Sequence, residues 1–183
     1  DPSICRVGDD YYLVNSSFEF FPGVPLFHSR DMVYWEQISY ILTRDSQLDL
    51  HGCKTSGGIY APTLRYHDGR FYMITTNVSH GGNFYVWTDN IRGEWSDPVY
   101  VKQGGIDPSL FWDGDGTVYF HSTYSDEAGR ACIGQCTIDV ETGEMLSSHV
   151  QTVRKVLPDD CGGRYGIRAH GNHRPLGQPL GSL

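Results

Sequence analysis

The sequence predicts an all-β chain folded as an incomplete β-propeller, with about three blades present. Three observations predict it. A motif of Pro, a small hydroxyl residue and an aliphatic residue recurs three times, each copy followed by an acidic or glycine turn and an aromatic run. Gly is abundant at 22 and aromatics reach 13%, against 20% charged residues, a mixture that suits short strands and tight turns. Sustained 3.6-residue periodicity is missing, which argues against a helical solenoid.

The first unit opens with Asp1-Pro2-Ser3-Ile4 and climbs through Asp9-Asp10-Tyr11-Tyr12-Leu13-Val14. The second opens with Ala61-Pro62-Thr63-Leu64 and climbs through Asp68-Gly69-Arg70-Phe71-Tyr72-Met73-Ile74. The third opens with Asp107-Pro108-Ser109-Leu110 and climbs through Asp115-Gly116-Thr117-Val118-Tyr119-Phe120. The repeated prolines, Pro2, Pro62 and Pro108, stand 60 and 46 residues apart. Asp-Gly ahead of an aromatic, β-branched run is a hairpin signal, because Gly accepts the positive φ of a tight turn. Each unit then carries a third strand that ends at a polar turn, with a fourth beginning beyond it. The markers are Leu26-Phe27-His28-Ser29, Arg30-Asp31 and Trp35; then Tyr85-Val86-Trp87-Thr88, Asp89-Asn90 and Trp95; then Cys136-Thr137-Ile138, Asp139 and Gly143. Four short strands at a period of roughly 40–50 residues is the pattern of propeller blades, and rings close with about four to eight of them.

Lys and Arg number 14 against 22 Asp and Glu, for a formal net charge of −8. Nucleic acid is therefore not expected as a partner, because binding a polyanion needs clustered cations. No apolar run approaches the ~18 residues of a membrane span, and no charged-then-apolar leader opens the chain. A length of 183 residues suits one well-packed domain. Cys5, Cys53, Cys132, Cys136 and Cys161 are odd in number and loosely spaced, a poor disulfide framework. Cys132 and Cys136 have no His or Cys nearby to complete a zinc-type set, so buried or half-buried free thiols are expected.

Asp1 and Asp107 occupy equivalent positions, each directly before Pro-Ser-aliphatic, where the second unit has Ala61. Residues at the starts of inner propeller strands collect around one mouth of the central channel. Two carboxylates there suit glycoside hydrolysis, in which one acid protonates the leaving oxygen and another activates water or attacks the sugar. The alternative is that each Asp-Pro-Ser caps a turn through hydrogen bonds from its own backbone.

The segments DPSICRVGDDYYLVNSSFEFFPGVPLFHSRDMVYWEQI, TSGGIYAPTLRYHDGRFYMITT and GGIDPSLFWDGDGTVYF strongly resemble glycoside hydrolase family 43. The resemblance covers roughly residues 1–165, read as the N-terminal part of a catalytic domain. It implies a five-bladed β-propeller and a β-xylosidase or α-L-arabinofuranosidase that cleaves hemicellulose-derived oligosaccharides with inversion. It also implies that Asp1 is the general base, and that Asp107 orients the general acid and raises its pKa. Phe18 and Tyr60 match the aromatics that wall the sugar pocket; many relatives have Trp where Tyr60 stands. Most of Phe20, Phe21, Trp35, Trp87 and Trp112 are expected in the blade core rather than on substrate. No cofactor is implied beyond a structural Ca²⁺ found in the family, whose ligands are not visible here.

One departure stands out. Relatives place the general acid, a Glu in a Glu-Gly-Pro motif, shortly after Gly-Gly-Arg-Tyr. Here Gly162-Gly163-Arg164-Tyr165 is followed by Gly166-Ile167-Arg168-Ala169, and none of Glu19, Glu36, Glu94, Glu127, Glu141 or Glu144 lies in that context. Residues 166–183 form an atypical tail, and the change of text near Tyr165 reads as a lost reading frame. His170 and His173 are discounted as a metal pair for the same reason. The expectation is a truncated, inactive fragment of a glycosidase, with a non-catalytic carbohydrate-binding propeller fragment as the alternative.

Overall fold

The computed structural model describes residues 1–155 and 167–169. Three antiparallel sheets account for every regular element of these residues, with no helix among them. The first holds β1 (Ser3–Val7), β2 (Asp10–Val14), β3 (Gly23–Ser29) and β4 (Glu36–Leu42), in that order. The second holds β5 (Thr63–His67), β6 (Arg70–Asn77), β7 (Gly82–Thr88) and β8 (Val99–Tyr100). The third runs β9 (Ile106–Trp112), β10 (Val118–Ser125), β11 (Ala131–Ile138) and β12 (Val150–Lys155), and β13 (Ile167–Ala169) pairs onto β12 as a fifth strand. The sheets are three blades of a propeller, and the chain covers part of the ring.

The repeated motifs do what their chemistry dictates. His67 pairs with Arg70 across Asp68-Gly69, whose φ values of 48° and 85° are both positive, as the tightest hairpin turn requires. The hydroxyl of each Pro-Ser pair links neighbouring inner strands. Leu64 N–H donates to Ser3 Oγ (3.1 Å), joining β1 to β5, and Arg65 Nη2 donates to Ser109 Oγ (2.9 Å), joining β5 to β9. Arg65 Nε also reaches the Leu110 carbonyl (3.3 Å).

The cores lie between blades. Val14, Leu26, Leu64, Phe71, Met73, Phe84 and Val86 fill the space between the first and second sheets. Tyr72, Ile74, Tyr85, Leu110, Phe120, Cys136 and Ile138 fill the next. Strand β6 therefore feeds both cores, with odd residues toward one blade and even toward the other, and it is buried from Phe71 to Asn77. A strand covered on both faces needs no polar alternation, which is why Phe71 to Ile74 read as an unbroken apolar run, and the buried Thr75, Thr76 and Asn77 that follow are polar. Each fully buried aliphatic side chain contributes about 1.5–3 kcal/mol.

Two expectations need correction. The fourth strands of the second and third blades start later than their markers suggest, at Val99 and Val150. In the second blade Trp95 turns inward to plug the core, while Ser96 extends the pairing with Trp87 through N–H to O (2.8 Å) and N–H to Oγ (3.0 Å) bonds. Phe20 and Phe21 are not core: they are 68% and 51% exposed. The turn they belong to, closed by Phe20 N–H to the Ser17 carbonyl (2.9 Å), lifts them onto the surface. Trp87 and Trp112 do pack against the second core. Cys132 and Cys136 are buried free thiols, and Cys5 and Cys53 are half-buried ones. Cys161, Tyr165, His170 and His173 lie outside the described residues.

Candidate active site

Asp1 precedes β1 and is exposed. Its amino group stands 3.3 Å from Ser16 Oγ, on the loop that follows β2. Asp107 lies within β9 and is lifted out of the pleat: its φ is 55°, and the pairing of β9 with β10 shifts between His121 and Thr123. Two residues earlier the chain has to be glycine. Gly105 has φ +93°, and a Cβ there would collide with the Thr123 carbonyl. A bulge of this kind re-aims a side chain that regular pairing would hold in the sheet.

Among the described residues, neither the Asp1 nor the Asp107 carboxylate takes part in a hydrogen bond. Carboxylates that do cap turns here are plain to see: Asp31 accepts from Val33 and Tyr34 N–H, Asp115 from Thr117 N–H and Asp126 from Ala128 N–H. The turn-capping explanation of the Asp-Pro-Ser pairs therefore finds no support in the geometry.

Phe18 and Tyr60 come from different blades and meet edge to face, with ring centroids 6.0 Å apart and planes at 70°. The contact is built by the backbone. Phe18 N–H donates to the Ile59 carbonyl (2.9 Å) and Ile59 N–H donates back to Phe18 (3.0 Å). Gly58, at φ +75°, permits the approach, since a Cβ there would strike the Phe18 carbonyl. Glu19 adds a further tie by accepting from Ser56 N–H (3.0 Å). On the other side, Tyr60 N–H donates to the Thr76 carbonyl (3.0 Å), and Thr75 Oγ1 donates to the Tyr60 carbonyl (3.0 Å). Phe18 keeps 36% of its surface exposed, so the pair is a wall rather than a core contact.

A chain of neighbours runs through these four residues. Asp1 adjoins Ser16, two residues from Phe18; Phe18 meets Tyr60; and Tyr60 is bonded to Thr76. Thr76 and Ile106, the neighbour of Asp107, line one groove of about 550 Å³. Within the strands, burial dominates the titration of three groups. It lowers the pKa of Arg65 and of His121 and raises that of the Cys5 thiol. Among the described residues, no three His, Cys, Asp or Glu side chains gather in one place.

Sequence reasoning missed two amides that tie these segments together. Gln47, almost fully buried, accepts from the N–H groups of Thr43 (3.0 Å) and Arg44 (3.2 Å) and donates to the carbonyls of Trp95 (3.1 Å) and Ser96 (2.8 Å). Asn77 donates to the Asp49 carbonyl (2.8 Å) and accepts from Ser79 and His80 N–H. Local sequence carries no signal for either amide, because the partners of Gln47 beyond the turn lie 48 and 49 residues away.

The family described as Glycosyl hydrolases family 43 matches residues 1–160. The chain is 56% identical over 144 residues to a xylosidase/arabinosidase of Butyrivibrio fibrisolvens, covering 77% of this chain and 28% of that protein. It is 50% identical over 160 residues to a non-reducing end alpha-L-arabinofuranosidase of Bacteroides ovatus, covering 85% and 28%. The crystal structure of a xylan beta-1,4-xylosidase from Bacillus halodurans C-125 superposes with a TM-score of 0.79 at 42% identity, covering 85% of this chain and 32% of that one. The chain thus spans about 28% of the length of these two sequence relatives.

Proposed function

The chain belongs to glycosyl hydrolases family 43, and from that premise we propose that it forms the base-bearing, sugar-holding part of a glycosidase. Its substrate is a hemicellulose-derived oligosaccharide ending in xylose or arabinose, in keeping with the names of its relatives. The Phe18–Tyr60 wall receives the terminal pentose. The Asp1 carboxylate takes a proton from the water that attacks the anomeric carbon, while a carboxylic acid on the far side protonates the leaving oxygen. Asp107 acts through that acid, whose pKa its negative charge raises, so that the proton is held until the bond breaks. Inversion places acid and base about 6.5–9.5 Å apart, with room for the water. The acid is a Glu that this chain lacks, so the 183 residues alone bind sugar without turnover.

The observation that carries this reading is the cross-blade Phe18–Tyr60 pair, with the Asp1 amino group bonded to Ser16, two residues before Phe18. The test is hydrolysis of an aryl β-xyloside and an aryl α-arabinofuranoside by a catalytic domain that includes the acid-bearing blades, with the first-formed anomer followed by NMR. Asp1→Asn is expected to lower kcat by about 10²–10⁴-fold. A product of retained configuration, or an Asp1→Asn enzyme as fast as its parent, would sink the assignment. The missing Glu after Gly162-Gly163-Arg164-Tyr165 favours a second reading, a sugar-binding propeller without hydrolysis. Sugar binding by the complete domain with no turnover of either glycoside would establish it.

A further inference from the structure

Asp107 is held by more than a glycine. On β9 the pair Asp107-Pro108 stands opposite a single residue of β10, Ser122, because Ser109 pairs with His121 and Ile106 with Thr123. Ser122 Oγ donates to the Gly104 carbonyl (2.7 Å), three residues ahead of Asp107. Gln103 Nε2 donates to that Oγ (2.8 Å) and to the Gly134 carbonyl on β11 (3.1 Å). Asn83 of β7 donates through Nδ2 to the Gln103 carbonyl (2.7 Å), and its Oδ1 accepts from the Thr76 hydroxyl. Thr76, Asn83, Gln103 and Ser122 are all buried. The Thr76 carbonyl is in turn the acceptor of Tyr60 N–H. A buried run of amides and hydroxyls therefore extends from Tyr60 in the second blade to the backbone that leads into Asp107.

The second blade supplies a contrast. Thr75 stands there as Ser122 stands in the third, one residue past the partner of the motif's hydroxyl residue: Ile74 pairs with Thr63, and His121 with Ser109. Thr75 Oγ1 donates to the Tyr60 carbonyl, directly before Ala61, and Ala61 is not left-handed. Ser122 reaches back to Gly104 instead, and Asp107 is left-handed. A strained backbone persists only where its surroundings impose it. Buried bonds can impose it, because leaving a donor or acceptor unpaired away from water is costly. Gln103 Oε1 has no partner among the described residues, so the Gln103 side chain holds through Nε2.

We propose that Ser122, Gln103 and Asn83 are positioning residues for Asp107: their buried hydrogen bonds set the left-handed backbone that presents its carboxylate to the general acid. The inference rests on the role of Asp107 proposed above. The three act through Asp107, so their loss falls on kcat rather than on KM.

The test has two arms. In the 183-residue chain, the coupling between the amide and α protons of Asp107 reads its φ by NMR. Ser122→Ala and Gln103→Met, each close in shape to the parent residue, are expected to move that coupling toward the value of an extended strand. Thr88→Ala removes a buried hydroxyl at the far end of β7, where it bonds the Asn90 carbonyl (3.0 Å), and should leave the coupling unchanged. The second arm uses a catalytic domain that includes the acid-bearing blades, with whichever aryl glycoside it cleaves. There Ser122→Ala should lower kcat on the order of tenfold at unchanged KM, a part of the roughly 10²–10⁴-fold that acid–base catalysis supplies. Asp107→Asn should lower kcat further, and the double variant should be no slower than Asp107→Asn alone, since residues that act through one carboxylate are not additive. Losses that multiply in the double variant overturn the inference, as does an Asp107 coupling or a kcat that Ser122→Ala leaves unchanged. Gln103→Met decides in the same way if Ser122→Ala does not fold. In these cases a slowed Asp107→Asn domain leaves the role of Asp107 standing. An Asp107→Asn domain as fast as its parent overturns that role and the inference together.

Discussion

Gly58→Ala tests how the aromatic wall is assembled. Two costs are foreseen, and a second glycine separates them. At φ +75° an alanine pays the left-handed penalty, about 1–2 kcal/mol. Its Cβ would also collide with the Phe18 carbonyl, the acceptor of the Ile59 N–H bond. Relieving the clash means pulling Phe18 away from Ile59 and weakening the reciprocal pair, at about 0.5–1.5 kcal/mol for each bond. Gly8 has a comparable φ of +61° but nothing within 4 Å of its Cβ position, so Gly8→Ala pays the first cost alone. The expected difference between the two variants is therefore ~1–3 kcal/mol, read from urea denaturation midpoints at constant slope. For a chain of this size each kcal/mol moves Tm by about 2–4 °C. Equal losses in the two variants would refute the claim that the wall depends on this close approach.

Gln47→Leu removes four hydrogen bonds and strands two N–H and two carbonyl groups, so a loss of about 2–4 kcal/mol is expected by urea denaturation. Asp1→Ala and Asp107→Asn should each leave stability within about 0.5 kcal/mol in the same assay, because neither carboxylate is engaged in the fold. His121 gives a pH prediction. Burial holds its folded pKa below the ordinary value, so the unfolded chain takes up the proton first. Its contribution is fully present above pH ~6.5 and is lost as pH falls from there toward the folded pKa. His121→Gln should flatten the parent chain's loss of Tm below pH ~6.5, and an unchanged slope would count against a buried neutral imidazole.

The parts of this fold that were legible in the sequence are those fixed by local chemistry. Asp68-Gly69 needs only its own two residues to make a tight hairpin, and the inner strands follow from Pro, hydroxyl and aliphatic positions repeated three times. Phe18 and Tyr60 were legible as site candidates through the motifs around them. What escaped was set by distant partners. The segment from Thr43 to Gly58 owes its path to Gln47 and Asn77, whose bonds to Trp95, Ser96 and Asp49 have no local trace. Phe20 and Phe21 misled because large aromatics in a strand-rich chain usually pack inward, whereas the turn from Ser17 to Phe20 faces them to solvent. The late fourth strand of the second blade escaped because Trp95 plugs a core rather than pairing.

The three copies of the motif form a comparison internal to the molecule. At the shared positions two copies of the three show a mechanical duty: Leu64 and Leu110 are buried, though Ile4 is exposed, and the hydroxyls of Ser3 and Ser109 join neighbouring inner strands. Where they disagree, at Asp1, Ala61 and Asp107, no such duty is found. Ala61 shows that a blade can start without a carboxylate, and the second blade packs as well as its neighbours on both faces. Asp107 goes further, since its position requires a left-handed backbone and a glycine that nothing else can replace. Local strain of this kind costs on the order of 1–3 kcal/mol and persists only where the surroundings impose it. A fold that needed only a blade start would have no reason to bear it. Under the proposed function, that strain aims a carboxylate toward the pocket that the Phe18–Tyr60 pair walls.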